Sequence, residues 1–306
     1  MNAAYPIDKI RESIYNESTI YNCIYYWGVL IVVRIENFDD IGSLCDGNVI
    51  VVNKEKSIMK NSAFTFNGKR NIVFIEDGAR ISRSKINFNG DDSVLYISSG
   101  YNECFLNFNI NNKSAVYIGR DSYYNGAITA ITSEGQSIII GNRGLFSYGI
   151  SIRTADPHLI YDIGTGNRIN PSKSVVIGDH VWIGQNVLIL KGTHVGSGAI
   201  IGAAAVVSGK KIGSNTVWAG NPARKLKSGV FFDRQCVHQW NEEQTLKNNH
   251  SDNDTTVFGK ERTDVIDTQK LCDELYKAHT AEEKLSIIKR DLADNRAKDR
   301  FYIEDC

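Results

Sequence analysis

The sequence has few prolines and no excess of either charge. Four prolines in 306 residues leave little room for rigid linkers, whereas 26 glycines suit many repeated tight corners. Lys plus Arg and Asp plus Glu both number 35, and no local basic patch is visible. Neither nucleic acid nor an anionic membrane surface is therefore an expected partner.

The sequence also lacks a cysteine motif, a secretion signal and a long apolar run. The six cysteines contain no CxxC pair and no regular spacing: Cys23, Cys45, Cys104, Cys236, Cys272 and Cys306. They predict neither a zinc site nor a disulfide framework, and free thiols in a reducing compartment are expected. The N-terminus has no basic region followed by an apolar core, so a cytoplasmic protein is expected.

The longest apolar run covers residues 24–35 and is too short to span a bilayer, besides being interrupted by Arg34. We interpret it as a buried strand. An interfacial membrane anchor, suggested by Tyr25, Tyr26 and Trp27, is the alternative.

Aliphatic residues recur at six-residue steps in the second half of the chain. They are Ile177, Ile183, Ile189, Val195, Ile201 and Val207, and four of the six residues that follow them are glycines. A helix would need apolar residues every three or four positions, and a simple strand would need them at every second position. A step of six is typical of a parallel β-helix, in which each hexad supplies one strand and one corner. Three hexads close a triangular coil whose aliphatic side chains point inward.

The same unit continues upstream with longer spacings. Its aligned isoleucines are Ile75, Ile97, Ile118, Ile140 and Ile177, and NVIVVNKE around Val52 indicates an earlier coil. Spacings of 22, 21 and 22 residues fit single coils with a few extra turn residues. The last spacing, of 37 residues, leaves a further segment, which we predict is a loop ejected from the prism over residues 151–174.

Three regions are predicted from these patterns. Residues 1–45 are expected to cap the N-terminal end, residues 46–227 to form the β-helix, and residues 228–306 to form a linker and a helical extension. The extension contains a polar stretch over 241–260 and a heptad-like apolar pattern with a capping box at Thr280. This helical part either packs against its own domain or reaches across to another subunit.

From about Val116 to Lys227 the sequence resembles the hexapeptide-repeat acyltransferases, and among them the bacterial capsule and lipopolysaccharide O-acetyltransferases. The matching elements are ADPHLIYD, GNRINPSK, IGDHVWIGQNVLILKGTHVGSGAIIGAAAVVSG and WAGNPARKLK. The resemblance implies a mainly β chain folded as a left-handed parallel β-helix. It also implies acetyl-CoA as co-substrate, a sugar or polysaccharide acceptor, and a homotrimer with active sites in the grooves between prisms.

His158, in the predicted loop, is the candidate catalytic base. A sugar hydroxyl is a weak nucleophile, so its attack on a thioester needs a general base that titrates near neutrality, as histidine does. Pro157 fixes the approach of the loop, and Asp156 and Asp162 are nearby candidates to orient the imidazole. A solvated or structural histidine is the alternative, and the resemblance favours catalysis because the family's corresponding histidine deprotonates the acceptor.

Trp182 is the second candidate site residue, because its place in the hexad predicts an outward-pointing indole. It either shields a subunit seam or forms a wall of the acceptor pocket beside His158 of a neighbouring chain, and the resemblance favours the second role. For acetyl-CoA, the small residues at 202–205 leave room for a pantetheine arm, and cations of the closing motif are suited to the phosphates. The residues assigned to acetyl-CoA are Gly202, Ala203, Ala204, Lys210, Pro222, Arg224 and Lys225. No metal is expected.

The predicted function is transfer of acetyl from acetyl-CoA to a hydroxyl of a bacterial capsular or other surface polysaccharide, with the protein in the cytoplasm or peripheral to the inner membrane near capsule assembly. N-acetylation of a nucleotide-linked amino sugar is the alternative enzymatic interpretation, and a non-catalytic β-solenoid scaffold is another. A zinc hydrolyase of the hexapeptide-repeat kind would need three converging histidines, and the spacings of His158, His180 and His194 do not favour it. The sequence leaves open which sugar and which hydroxyl are acetylated.

Overall fold

The computed structural model describes residues 32–259 and 264–305, and these form a left-handed parallel β-helix with three faces and a C-terminal helical layer. The predicted fold class is confirmed. The strands of the first face are Val33–Ile35, Ala63–Phe66, Lys85–Phe88, Leu106–Ile110, Ile128–Ile131, Ser151–Arg153, Leu188–Ile189 and Val206–Val207. Those of the second face are Val49–Val51, Ile72–Ile75, Val94–Ile97, Ala115–Ile118, Ile138–Ile140, Val175–Ile177, His194–Val195 and Lys211–Ile212.

The third face is the shortest of the three. Its strands are Tyr123–Tyr124, Leu145–Phe146, Trp182–Ile183, Ile200–Ile201, Thr216–Ala219 and the antiparallel Arg224–Ser228. On the N-terminal coils a separate pair of parallel strands forms, Ile58–Lys60 and Arg80–Ser82.

The isoleucines aligned by sequence form one column inside the second face. The paired residues are Ile75, Ile97, Ile118, Ile140, Ile177, Val195 and Ile212. Each is at most 2% exposed, so each coil supplies one fully buried aliphatic side chain to a continuous core. The earlier coil predicted around Val52 is also present, since Val49–Val51 pairs in parallel with Ile72–Val73–Phe74.

Residues 32–45 close the N-terminal end of the prism. Val33–Ile35 pairs antiparallel with Ala63–Phe66, and a 3₁₀ helix follows at Phe38–Ser43. Phe38 and Cys45 are buried in the main core. The predicted strand over 24–35 is seen only at Val33–Ile35, because residues 24–31 lie outside the described residues.

The C-terminal region forms a layer of short helices. These are a 3₁₀ helix at Val237–Gln239, α-helices at Glu242–Lys247, Thr268–Lys277 and Ala281–Ile288, and a π-helical turn at Lys289–Ala293. The last two α-helices and the turn pack their apolar side on the outer surface of the second face, against residues that include Tyr96, Tyr117 and Val176. The predicted capping box is confirmed, because the Thr280 side chain accepts a hydrogen bond from the Glu283 N–H.

A buried ion pair ties this layer to the solenoid. The Arg300 guanidinium donates to both carboxylate oxygens of Asp179, Nε–Oδ2 at 2.8 Å and Nη2–Oδ1 at 2.9 Å, and Arg300 is 1% exposed. Arg300 also donates to the Asn295 carbonyl at 2.8 Å. Because both charges are desolvated but fully hydrogen-bonded, the loss of one partner would leave the other buried and uncompensated.

Among the helices within 32–259 and 264–305, none combines the length and apolarity needed to cross a membrane. The four cysteines that the structure describes, Cys45, Cys104, Cys236 and Cys272, are thiols.

Candidate active site

The loop that carries His158 leaves the corner between the first and second faces. Ser151–Arg153 still forms a strand of the first face, and the chain rejoins the second face at Val175–Ile177. The segment outside the coils is therefore residues 154–174, here called the His158 loop. The first three residues of the predicted loop stay in the sheet because Ile152 fills the core with no exposed surface.

Asn170 holds the two arms of the His158 loop together. Its side-chain amide donates to the His158 carbonyl at 2.7 Å, and its side-chain oxygen accepts from the Ile160 N–H at 2.9 Å. Asn170 is buried, so these bonds lie away from competing water. The backbone on both sides of the histidine is thus fixed by one side chain.

Glu134, on the preceding coil, anchors the base of the loop. It accepts a bidentate pair of hydrogen bonds from Arg168, at 2.6 and 3.0 Å, and further bonds from the hydroxyl and N–H of Ser172. The Arg168 guanidinium and the Ser172 hydroxyl lower the pKa of Glu134 to about 2. The carboxylate is therefore ionised across the physiological range, and its charge-assisted bonds persist there.

The two aspartates predicted as candidates to orient the imidazole serve the loop instead. Asp156 accepts from the Lys191 ammonium at 2.6 Å, which holds the pKa of the Asp156 carboxyl below its usual value. Asp162 accepts from the N–H and hydroxyl of Thr165, at 2.8 and 2.9 Å, and closes the tip of the loop. Within the described residues neither carboxylate hydrogen-bonds the ring of His158.

The His158 ring is exposed at the surface of this loop. No side chain or backbone group in residues 32–259 or 264–305 hydrogen-bonds it, so both ring nitrogens are available to a ligand. Its neighbours on the loop are exposed apolar residues: Leu159, Ile160, Tyr161, Ile163 and Ile169. A cluster of this size on an otherwise polar loop is typical of a surface that another protein covers.

Trp182 lies on the third face, as an outward-pointing residue that is 38% exposed, while Ile183 beside it is fully buried. The predicted outward orientation is therefore observed. Within one chain the structure does not bring Trp182 to His158, because the His158 loop leaves the prism at the corner opposite the third face. Trp182 instead contacts Phe232, with ring centroids 5.7 Å apart, and Phe232 stacks on His180 at 4.1 Å.

The small residues predicted for acetyl-CoA form the corner between the third and first faces. Ala203 and Ala204 are exposed there, and the Ala203 N–H meets no acceptor in the described part of the chain. Glycine is required on the coil below, because a Cβ at Gly184 would lie 2.6 Å from the Ala203 nitrogen. The corner thus has only small side chains, and it offers a backbone N–H donor to an extended ligand.

The closing motif lies directly against this corner. The Gly202 N–H donates to the Trp218 carbonyl at 2.7 Å, and the Val206 N–H donates to the Gly220 carbonyl at 3.1 Å. Pro222 and Arg224 are exposed on this next coil, so the structure brings them to the same edge as Ala203.

The two lysines assigned to acetyl-CoA have different surroundings. Lys225 follows Arg224 on the closing strand, but its ammonium pairs with Asp305 at 2.9 Å, beside Gly213 at the corner between the second and third faces. Lys210 lies at a different corner, between the first and second faces, and its ammonium is 5.7 Å from the centre of the Trp218 ring. The fit for a phosphate is therefore better at Arg224 than at Lys210.

The other repeat histidines are occupied by structural contacts. His180 Nε2 lies 3.1 Å from the Phe232 carbonyl oxygen, and burial lowers the pKa of the ring. His194 begins a strand of the second face, with Nδ1 2.7 Å from the Thr268 hydroxyl. Burial lowers the pKa of His194 to about 4, so it is neutral at physiological pH.

Sequence reasoning missed the residues that hold the His158 loop. Asn170 and Arg168 lie in GNRINPSK, a motif that points to the family but not to the role of either residue. Glu134 and Lys191 are 34 and 35 positions from their loop partners Arg168 and Asp156. A conspicuous signal was the cluster of polar residues around Pro171, which suits a loop held by side-chain hydrogen bonds.

Comparison with known proteins gives matches to the repeat and to the surrounding solenoid. The family "Bacterial transferase hexapeptide (six repeats)" matches residues 174–209. Over 114 residues, 37% of the chain, the sequence is 42% identical to a polysialic acid O-acetyltransferase of Neisseria meningitidis, across 52% of that protein. Over 121 residues, 40% of the chain, it is 37% identical to a polysialic acid O-acetyltransferase of Escherichia coli O1:K1 / APEC, across 39% of that protein. The match thus spans about half or less of these relatives' length.

A solved structure extends the similarity beyond the repeat. The crystal structure of the polySia specific acetyltransferase NeuO aligns with a TM-score of 0.56 at 28% identity, covering 66% of this chain and 86% of that one. The resemblance predicted from the sequence is confirmed: this chain carries the hexapeptide repeat of the bacterial transferases, and its relatives are O-acetyltransferases.

Proposed function

We propose that this chain transfers acetyl from acetyl-CoA to a hydroxyl of an acidic capsular polysaccharide, with His158 as the general base. The observation that carries the proposal is the His158 loop itself. Five side chains of the loop and of two adjoining coils hold it in place, yet the imidazole is left exposed and without a hydrogen bond in the described residues. The relatives' names supply the acceptor class, polysialic acid.

The chemistry requires one proton to move twice. A ring nitrogen of neutral His158 takes the proton of the acceptor hydroxyl as its oxygen attacks the acetyl carbonyl carbon. The carbon–sulfur bond then breaks, and the imidazolium returns the proton to the departing thiolate. A backbone N–H must stabilise the oxyanion formed between these steps. The Ala203 corner, with Pro222 and Arg224 on the next coil, is the proposed path of the pantetheine arm and the phosphates.

The site is proposed to form between subunits of a homotrimer. Within one chain His158 and Trp182 face different sides of the prism, so one chain alone does not bring the base to the proposed acceptor wall. The exposed apolar side chains of the His158 loop supply a surface for a neighbouring copy to cover. In a closed ring each loop would reach the third face of the next prism.

The proposal is tested by incubating the protein with acetyl-CoA and a panel of acceptors while free thiol is measured. The panel contains polysialic acid, a neutral capsular polysaccharide and nucleotide-linked amino sugars. We expect polysialic acid to stimulate thiol release in a saturable way and to gain ester-linked acetyl groups. Release stimulated only by the amino sugars would refute the O-acetylation proposal in favour of N-acetylation, and no release with any acceptor would favour a scaffold.

A further inference from the structure

The segment after the solenoid turns back and runs along one edge of the third face. The Val230 N–H donates to the Asn215 carbonyl at 3.0 Å, Phe232 stacks on His180, and Arg234 donates to the Asp121 carbonyl at 3.2 Å. Asn215, His180 and Asp121 all lie at the corner between the second and third faces, each on an earlier coil than the one before. The segment Val230–Arg234 therefore forms a wall that rises beside the third face.

The floor beside this wall is a column of in-register, outward-pointing side chains. Tyr123 pairs with Leu145, and Leu145 pairs with Trp182. Neighbouring strands are about 4.8 Å apart, so the column extends about 10 Å from Trp182 toward the N-terminal end. Tyr123 is 44% exposed and Tyr148, at the opposite rim, is 53% exposed. Two aromatic rings thus continue the surface begun by Trp182, with a wall on one side.

Two guanidiniums lie on the wall side of this groove. Arg143 is exposed and forms no ion pair within the described residues, and the guanidinium of Arg234 contacts only a backbone carbonyl there. Both cations are close enough to His180 to lower the pKa of its ring further, beyond the larger effect of burial. The neighbouring carboxylates of Asp121 and Asp233 accept backbone N–H groups of Tyr101 and Gln235. Since neither carboxylate forms an ion pair with Arg143 or Arg234 in the described residues, the two guanidiniums can hydrogen-bond an anionic ligand.

We propose that this groove, with Tyr123 and Leu145 as its floor and the guanidiniums of Arg143 and Arg234 along its wall side, binds the stretch of an acidic polysaccharide that adjoins the sugar being acetylated. The inference rests on the proposed function, since it extends the acceptor site from Trp182. Aromatic side chains stack on the apolar faces of pyranose rings, and guanidiniums pair with sugar carboxylates. The groove would make the protein prefer a polymer over a short acceptor, without any contact to the reacting hydroxyl.

The test measures polymer binding separately from acetyl transfer. Deacetylated polysialic acid is titrated calorimetrically into the full chain without acetyl-CoA, and dextran serves as a neutral polymer. Tyr123→Ala and Arg143→Gln are each expected to weaken polysialic acid binding about fivefold to tenfold. Tyr276→Ala, which removes an exposed tyrosine on the opposite helical layer, is the matched control and should bind as the wild type does.

Steady-state kinetics then show whether the two substitutions affect binding of the polymer or reaction of the sugar that is acetylated. Both variants should raise KM for polysialic acid, while kcat and the KM for a sialic acid dimer stay within about twofold. The proposal would be overturned if the variants raised KM equally for dimer and polymer, or if both variants bound polysialic acid as the wild type does. It would also be overturned if the wild type bound dextran as tightly as polysialic acid. Polysialic acid binding that depends on Arg143 but is accompanied by no acetyl transfer would support the groove and refute the proposed function.

Discussion

Co-expression of His158→Ala chains with Trp182→Ala chains is expected to restore acetyl transfer that neither variant supports alone. The reason is geometric. The His158 loop leaves the corner between the first and second faces, whereas Trp182 points outward from the third face. A working site would therefore take its base from one chain and its acceptor wall from the next.

The expected recovery follows from counting the sites in a mixed cyclic trimer. With equal amounts of the two chains, a site has a half chance of an intact His158 and an independent half chance of an intact Trp182 from the neighbour, so about a quarter of wild-type activity returns. If both residues acted within one chain, no site would be intact. The reciprocal control mixes wild type with the double variant and should give about a quarter for shared sites or about half for sites within one chain.

The assay is acetyl-CoA-dependent thiol release at a polysialic acid concentration well below KM, on the unselected mixture of trimers, purified through one affinity tag that both chains carry. Each single variant is measured alone for its residual rate, and mass measurement in solution confirms the oligomer. Failure of the mixed variants to exceed the sum of their residual rates would refute the shared site. So would a wild-type chain that is fully active as a monomer.

Three further predictions test the scaffold around the site. Asn170→Ala should lower kcat about tenfold to a hundredfold with little change in melting temperature, because it frees the backbone around His158 without touching the core; an unchanged kcat would contradict this. Arg300→Met should reduce the free energy of unfolding, measured in urea, by about 3–5 kcal/mol, because it leaves the buried Asp179 carboxylate without its ion-pair partner. The control Arg290→Gln, at an exposed ion pair, should reduce it by less than about 1 kcal/mol. Folding lowers the pKa of His194 from 6.5 to about 4, so between these pH values the unfolded chain binds a proton that the folded chain does not. The free energy of unfolding should therefore fall by up to about 3 kcal/mol as the pH is lowered from 6.5 to 4. In His194→Gln this dependence on pH should be weaker.

The repeat made most of the solenoid predictable. Each coil places a buried aliphatic residue at the same position, so the spacing of Ile177, Ile183 and Ile189 determines both the period and the inward side. The interruption of that period predicted the His158 loop, although its first strand, Ser151–Arg153, still belongs to a coil. Trp182 was predicted to point outward for the same reason, since it directly precedes an inward isoleucine.

The contacts that escaped prediction join residues far apart in the chain. Asp179 and Arg300 are 121 positions apart, and His180 and Phe232 are 52 apart. No local pattern in the sequence marks such pairs, because a buried arginine and an exposed one look alike until the surface that covers them is known. For this reason the sequence does not predict the wall formed by Val230–Arg234, and it predicts only a linker and helices after Lys227.

The central claim is tested most directly by the rate of polysialic-acid-dependent thiol release from acetyl-CoA in the wild type and in His158→Ala. His279→Ala, which changes an exposed histidine on the helical layer, is the matched control. We expect saturable release by the wild type and the control, and a fall in kcat of about a hundredfold or more in His158→Ala with the fold intact. Release that His158→Ala leaves unchanged would contradict the assignment of His158 as the base.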